Sequence, residues 1–387
     1  MKPRAGQRGF TLVELMVALA ISSIMVLMVL GMFSRMSAAY RSQQQITQLQ
    51  VTLAAAQNLI EQDVKRAGFQ VADGFRIASD ADLLSPVQIT NDANAPDELR
   101  VFAADASKQA RVEAGGDITQ SDRVNVDDST GFAVGELAVI VYSSTSVISG
   151  VLQTSGGTQA DTTVPTFVAC VVQIARVEAT ELRFDTNAPW GSGNIFDGHC
   201  ANVKAAHNAN PSNRTTMIYG LYARAYRIDA TRPALGVLQT SASGGLVDDW
   251  TDLGLGFTDL QLAARVFEAG DNVTDTADPD TLTQYEWYSG EDMERVTTAP
   301  DFSVAADHPR ITQLTVSLTA RTDRDVDDIY TRVTPGFIDT ARADNNDLGD
   351  HDVVDLTVGV PPANLLGNRI YRYSTNRIDL RNTGSGL

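Results

Sequence analysis

The residue with the strongest claim to chemistry is Glu14. It lies in "QRGFTLVELMVALAISSIMVLMVLGMF", Gln7 to Phe33, where every other side chain past Arg8 is uncharged and most are apolar. A carboxylate in hydrocarbon costs at least ~2.5 kcal/mol, so an ionisable residue in such a run calls for a partner and a function. Catalytic constellations are absent by comparison. The histidines His199, His207, His308 and His351 lie far apart without HExxH spacing. There is no GxSxG elbow and no P-loop, and "GLGFTD" lacks the third glycine of a dinucleotide fingerprint. His199 adjoins Cys200, but neighbours on a loop rarely align as nucleophile and base. The expectation is a protein that is not an enzyme.

One acidic segment has ligand-like spacing. In "DNNDLGDHDVVD", the residues Asp344, Asn346, Asp350, Asp352 and Asp355 fall at calcium-loop intervals with Gly349 at the sharp turn. Leu348 occupies a liganding position, however, and Asp355 is shorter than the usual Glu. The competing reading is a solvated acidic turn; no other cofactor is indicated.

The elements that must position Glu14 follow from composition and pattern. The chain has 387 residues, 43% hydrophobic and 20% charged, enough to bury a sizeable core. Its formal charge of -18, with no run of Lys or Arg, argues against nucleic acid as a partner, because phosphate binding needs a basic face. From Phe10 to Phe33 the apolar run is long enough to cross a bilayer, for which about 20 residues are needed. The leader, Met1 to Gly9, carries Lys2, Arg4 and Arg8 and no acid. That asymmetry keeps the leader cytoplasmic and sends the remainder outward. A secretory signal would end its shorter apolar region in small residues, and an ordinary anchor needs no carboxylate near its start.

At this junction "RGFTLVELMVALAI" resembles the prepilin signature of type IV pilins and type II secretion pseudopilins. In that signature a basic leader ends in Gly, followed by Phe, Thr and Leu, with Glu five residues into the mature chain. The resemblance implies cleavage after Gly9 by a membrane aspartic peptidase, N-methylation of Phe10, and a guiding role in assembly for Glu14. A Glu14 carboxylate facing the Phe10 amine of a neighbouring subunit would replace two isolated charges with a pair. Breaking such a pair strands a charge at about 3–5 kcal/mol.

The helix continues past the membrane segment. Ile46, Leu49, Leu53, Ala56, Ile60, Val64 and Ala67 recur at spacings of three and four, with Gln43 to Gln45, Gln48, Gln57 and Gln62 on the other sides. Gly68 supplies a stop. A helix from Thr11 to Ala67 would be roughly 85 Å long. Its weak point is Gly31, where many pilins carry Pro; Gly31 is either a softer flexible joint or a site of close helix approach.

Beyond Gly68 the sequence turns to strand-like runs bounded by turn formers, among them "ELRVFAAD", "GELAVIVYSS", "TFVACVVQIARVEATELRFD", "TTMIYGLYARAYRID" and "TDLQLAARVFE". In "RITQLTVSLTARTD", Leu314, Val316, Leu318 and Ala320 alternate with Thr315, Ser317 and Thr319, the pattern of a half-buried antiparallel strand whose apolar face meets the helix. The expected class is α+β: a type IV pilin fold with a long N-terminal helix, transmembrane in one half and amphipathic in the other, packed on an antiparallel β-sheet with a β-rich insertion. Its divisions are a leader (1–9), a membrane and assembly half (10–33), an amphipathic half (34–68), a connecting region (69–120), a small β subdomain (121–185) and the main sheet (186–387). The loop 191–213 reads as exposed.

The order of features, from "DVKRAGF" (Asp63 to Phe69) through "GFAVGE" and "YGLYARAYRID" to "IDLRN" (Ile378 to Asn382), resembles the PilW group of minor pilins. That resemblance implies a protein that joins other minor pilins and the major pilin to prime pilus assembly and sits at or near the tip, in systems serving adhesion and twitching motility. Its further partners would be the prepilin peptidase, the inner-membrane assembly platform and the inner membrane itself. It would be a single-pass inner-membrane protein with a periplasmic globular domain, extracellular once assembled. The alternatives are a minor pseudopilin of type II secretion and a tip adhesin that binds through its acidic loops.

Export also bears on Cys170 and Cys200, the chain's two cysteines. An oxidising compartment permits a disulfide between them, worth roughly 3–4 kcal/mol on the chain-entropy model for a loop of about thirty residues. The alternative is a buried strand thiol at Cys170 and a free loop thiol at Cys200.

Overall fold

The computed structural model describes residues 11–69, 71, 75–77, 80–84, 86–90, 96–113, 117–153, 159–187, 194–209, 215–232, 235–267, 285–289, 310–322 and 371–380. The chain opens with α1 (Leu12–Val64), 53 residues and about 80 Å long. Strands follow: β1 (Phe75–Ile77), β2 (Asp80–Leu84), β3 (Val87–Thr90), β4 (Glu98–Arg111), β5 (Arg123–Asn125), β6 (Leu137–Gln153), β7 (Gln159–Glu178) and β8 (Glu181–Phe184). After α2 (Ala201–Ala209) come β9 (Thr216–Ile228), β10 (Val237–Ser241), β11 (Thr251–Leu255), β12 (Phe257–Phe267), β13 (Tyr285–Ser289), β14 (Arg310–Arg321) and β15 (Tyr371–Asp379).

Eleven strands form one sheet along the path β11-β10-β9-β6-β7-β1-β2, with β4 also on β9 and β8 also on β7. Pairing is antiparallel except between β1 and β7. A second antiparallel sheet runs β13-β12-β14-β15. This is an α+β architecture, a long apolar N-terminal helix followed by antiparallel sheets, consistent with a type IV pilin fold.

The C-terminal half of α1 is where helix and sheets meet. Leu49, Leu53, Ala56, Ile60 and Val64 are buried in one core with Leu260, Leu262 and Ala264 of β12, Leu314, Val316 and Leu318 of β14, and Ile378 of β15. Each large aliphatic side chain so buried contributes about 1.5–3 kcal/mol, which fixes this half of the helix on the sheet. The helix exits through Gly68, at φ 76°, a backbone conformation that a Cβ penalises. Gly68 N–H then donates to Phe102 O at 3.0 Å, stitching the exit to β4.

The runs in β6 and β7 are continuously apolar because both of their faces are buried. Ala138, Ile140, Cys170 and Val172 belong to one core, and Val139, Val141, Ala169 and Val171 to another. Through β6 these strands also pair with β9, so segment 121–185 shares a sheet with later strands.

Three expectations change. Gln57 is not on a solvated side of the helix: it is 7% exposed and accepts a hydrogen bond from Ser374 of β15. Its position flanks the apolar stripe, and the final strand covers that flank. The loop 191–213 is not simply exposed. Ala201–Ala209 forms α2, and Val203 and His207, four residues apart on one face, are buried in the core around Cys200. In β14 the polar alternates are buried too, Thr315, Ser317 and Thr319 each at 5% exposure or less. That strand is therefore enclosed on both faces.

Candidate functional site: the exposed half of the N-terminal helix

From Leu12 to Phe33 the helix presents a carpet of uncovered apolar side chains, with Leu12 at 74%, Leu27 at 68% and Phe33 at 71% exposure. This stretch is long and apolar enough to cross a membrane, and none of it is buried against the rest of the chain. A continuous apolar face of this size in water would be an aggregation liability, so its medium is lipid, other helices, or both.

Thr11 begins the helix in an extended conformation (φ -79°, ψ 152°). Glu14 N–H donates to Thr11 Oγ1 at 3.3 Å, while Thr11 N–H and Thr11 Oγ1 donate to Glu14 Oε2 at 2.9 and 3.0 Å. This is a capping box, which satisfies amides that the first turn of a helix leaves without partners. The acidic side chain also sits at the positive end of the helix dipole. Only one carboxylate oxygen is used; Glu14 Oε1 has no hydrogen-bond partner among the described residues. The S/T-x-x-E spacing of Thr11 and Glu14 was available in the sequence as a capping signal.

Residues 4–30 match the family model of the prokaryotic N-terminal methylation motif. The match spans Gly9, Phe10 and Glu14, and it supports a type IV pilin or pseudopilin. It implies processing by a prepilin peptidase and membership of a pilus system, and with the exposed helix it supports membrane anchoring of a globular domain. No curated protein and no solved structure matches the chain. The leader and the cleavage junction at Gly9 and Phe10 lie outside the described residues.

The structure places the remaining sequence candidates as follows. Gly31 lies within an unbroken α1, and a Cβ there would meet nothing within 4 Å. Cys170 and Cys200 are joined in a disulfide, with Cα atoms 5.4 Å apart and both residues fully buried, which tethers β7 to the start of α2. Because Cys200 is bonded, it forms no nucleophile pair with His199. His199 instead donates from Nε2 to Val171 O at 2.9 Å, and burial holds its pKa below the usual imidazole value. His207 shares a 2.7 Å hydrogen bond with Thr216 Oγ1. The calcium candidates Asp344, Asn346, Asp350, Asp352 and Asp355 lie outside the described residues. Among the described residues no group of three or more His, Cys, Asp or Glu is placed to hold a metal ion.

Sequence reasoning missed a buried carboxylate. Asp63, in the last turn of α1, is 2% exposed and accepts hydrogen bonds from both Tyr222 and Tyr226 of β9. The guanidinium carbons of Arg66 and Arg224 lie 5.3 and 5.4 Å from the Tyr222 ring centroid. The visible signal was "DVKRAGF" following an apolar stripe, but nothing in the spacing points to two tyrosines so distant in the chain.

Proposed function

We propose that this chain is a minor pilin of the PilW kind, which joins other minor pilins and the major pilin at the inner-membrane platform to prime pilus assembly and sits at or near the tip. The observation that carries the reading is the apolar, wholly uncovered half of α1, with one acidic residue at its start whose second oxygen is uncommitted. Cleavage after Gly9 leaves a new amine on Phe10, and Glu14 Oε1 accepts from that amine on the neighbouring subunit, while Oε2 keeps the helix start capped. The work is non-enzymatic. Before assembly the protein is a single-pass inner-membrane protein with its globular domain in the periplasm.

Two measurements test this. Mass spectrometry of membranes should find a chain beginning at methylated Phe10; an intact Met1 to Gly9 leader in cells with an active prepilin peptidase sinks the assignment. Glu14→Gln should leave cleavage and the exported fold intact while reducing the amount recovered in sheared pili. A type II secretion pseudopilin shares the same helix and motif. It is distinguished by deletion, which in that case abolishes secretion and spares pili.

A further inference from the structure

We propose that Arg35, Tyr40 and Arg41 form a collar on α1 that binds the phosphate groups of phospholipids, anionic ones above all, where the helix leaves the bilayer toward the globular domain. The inference rests on the membrane placement of the apolar half of α1 and not on the pilus assignment. Between Leu15 and Ile60, Arg35 and Arg41 are the only charged side chains. Both are exposed, and neither guanidinium has a carboxylate or other hydrogen-bond partner among the described residues. The next acid along the helix, Glu61, is about 30 Å beyond Arg41 and is engaged by Lys65. On a chain of formal charge -18, two arginines left without an anion are matched to one from outside it.

Height along the helix selects the headgroup layer. Leu12 to Phe33 measures about 32 Å along the axis, close to the ~30 Å of bilayer hydrocarbon, and the headgroup zone beyond it is about 5–8 Å deep on each side. Arg35 lies about 3 Å past Phe33 and Arg41 about 12 Å past it. Side chains on a helix lean toward its N-terminus, which here is toward the bilayer. A long guanidinium arm keeps its stem along the helix while its head reaches phosphate, and this brings Arg41 back into range. Tyr40, 69% exposed, is an aromatic of the kind enriched at this depth. The first buried residue of α1, Leu49, comes about 12 Å past Arg41, so the collar stands clear of the core.

Angle around the helix separates lipid from a partner helix. At about 100° per residue, Tyr40 lies about 140° and Arg41 about 240° round from Arg35. The three residues therefore face three different sides. A neighbouring helix meets a single stripe of ridges and grooves, whereas headgroups surround the helix at one height. A second copy of α1 offers no acid at this height either, since none stands between Glu14 and Glu61. Guanidinium suits phosphate because its fork of N–H groups matches two phosphate oxygens at once. The contacts set how deep the helix sits, and with it the depth of Glu14, about 32 Å before Arg35.

The test uses the full chain in non-ionic detergent with added phosphatidylglycerol, or with diacylglycerol, which has the same tails and no phosphate. Native mass spectrometry should find phosphatidylglycerol retained and diacylglycerol lost. Arg35→Gln and Arg41→Gln should each weaken retention on the order of fivefold, while Arg35→Lys with Arg41→Lys should keep most of it. Wild type and variants should melt alike and should all float with vesicles after reconstitution. Equal retention of the two lipids, or full phosphatidylglycerol retention by the double Gln variant, would overturn the collar and leave the membrane placement standing. A wild-type chain that fails to float overturns both. A double Gln variant that keeps its lipid but is lost from sheared pili would assign the arginines to an acidic partner subunit instead.

Discussion

Tyr226 donates its hydroxyl hydrogen to Asp63 across 163 residues of chain, and Tyr222 Oη donates to the same carboxylate at 2.5 Å. The end of α1 is thereby fastened to β9 by one acid and two phenols. A carboxylate taken out of water is tolerable because each oxygen receives a hydrogen bond. Removing a donor is then costlier than the loss of one hydrogen bond, because it leaves a buried charge less satisfied.

Tyr226→Phe should therefore lower the stability of the folded domain by about 1–3 kcal/mol, with Tyr222→Phe, at the more exposed phenol, costing less. Urea unfolding of the full chain, followed by tryptophan fluorescence, would measure both. Equal stability of Tyr226→Phe and the wild type would show that Asp63 finds other solvation.

The same pair predicts alkaline behaviour. Burial, and then the hydrogen bond to Asp63, push the hydroxyl pKa of both Tyr226 and Tyr222 upward. A raised folded-state value means that this stabilisation is complete below the unfolded tyrosine value of about 10 and is lost as pH climbs through the folded value. The melting temperature should fall above about pH 10, and the double variant Tyr222→Phe with Tyr226→Phe should show a flatter decline.

Acid acts elsewhere. Thr231 and Arg232 hold the Asp229 carboxyl down at about 2, through hydrogen bonds from the Thr231 side chain first and then from Arg232. A depressed value stabilises above the unfolded aspartate value of about 4 and ceases to do so as pH falls through the folded value. Asp229→Asn should be less stable than the wild type at neutral pH and should converge with it near pH 2. Melting curves across that range would show parallel lines if Asp229 is not responsible.

For the disulfide, thiol labelling of the native chain should find no reactive cysteine until reductant and denaturant are added. Cys170→Ala with Cys200→Ala should cost about 3–4 kcal/mol, with the loss centred on α2, since Cys200 leads into that helix. Two labelled thiols in the untreated protein would refute the bond.

At the N-terminus, Thr11→Ala separates the two uses of Glu14. It removes the hydroxyl from the capping box, a cost of about 1 kcal/mol confined to the first turn, but leaves the carboxylate. Recovery in sheared pili should stay close to wild type for Thr11→Ala and fall for Glu14→Gln. Equal loss in both would mean that capping, and not the charge, is what assembly requires.

How much of this was legible beforehand depends on the range of the interactions involved. The helical stripe from Leu49 to Ala67 is written in spacings of three and four, and burial follows it residue by residue, because helix geometry is local. The capping box at Thr11 and Glu14 is equally local and could have been read. Strand positions followed from β-branched runs, yet the alternation in β14 misjudged its second face, since alternation records which residues are polar and not what comes to cover them. The burial of Gln57 and Asp63 was not legible for the same reason: their partners Ser374, Tyr222 and Tyr226 are far along the chain. The strand order β11-β10-β9-β6-β7 and the folding of Ala201–Ala209 onto Cys200 depend on which apolar faces find each other. Sequence by itself determined the local elements and the motif at their start. Only the tertiary structure decided the pairings, because burial is a property of neighbours distant in the chain.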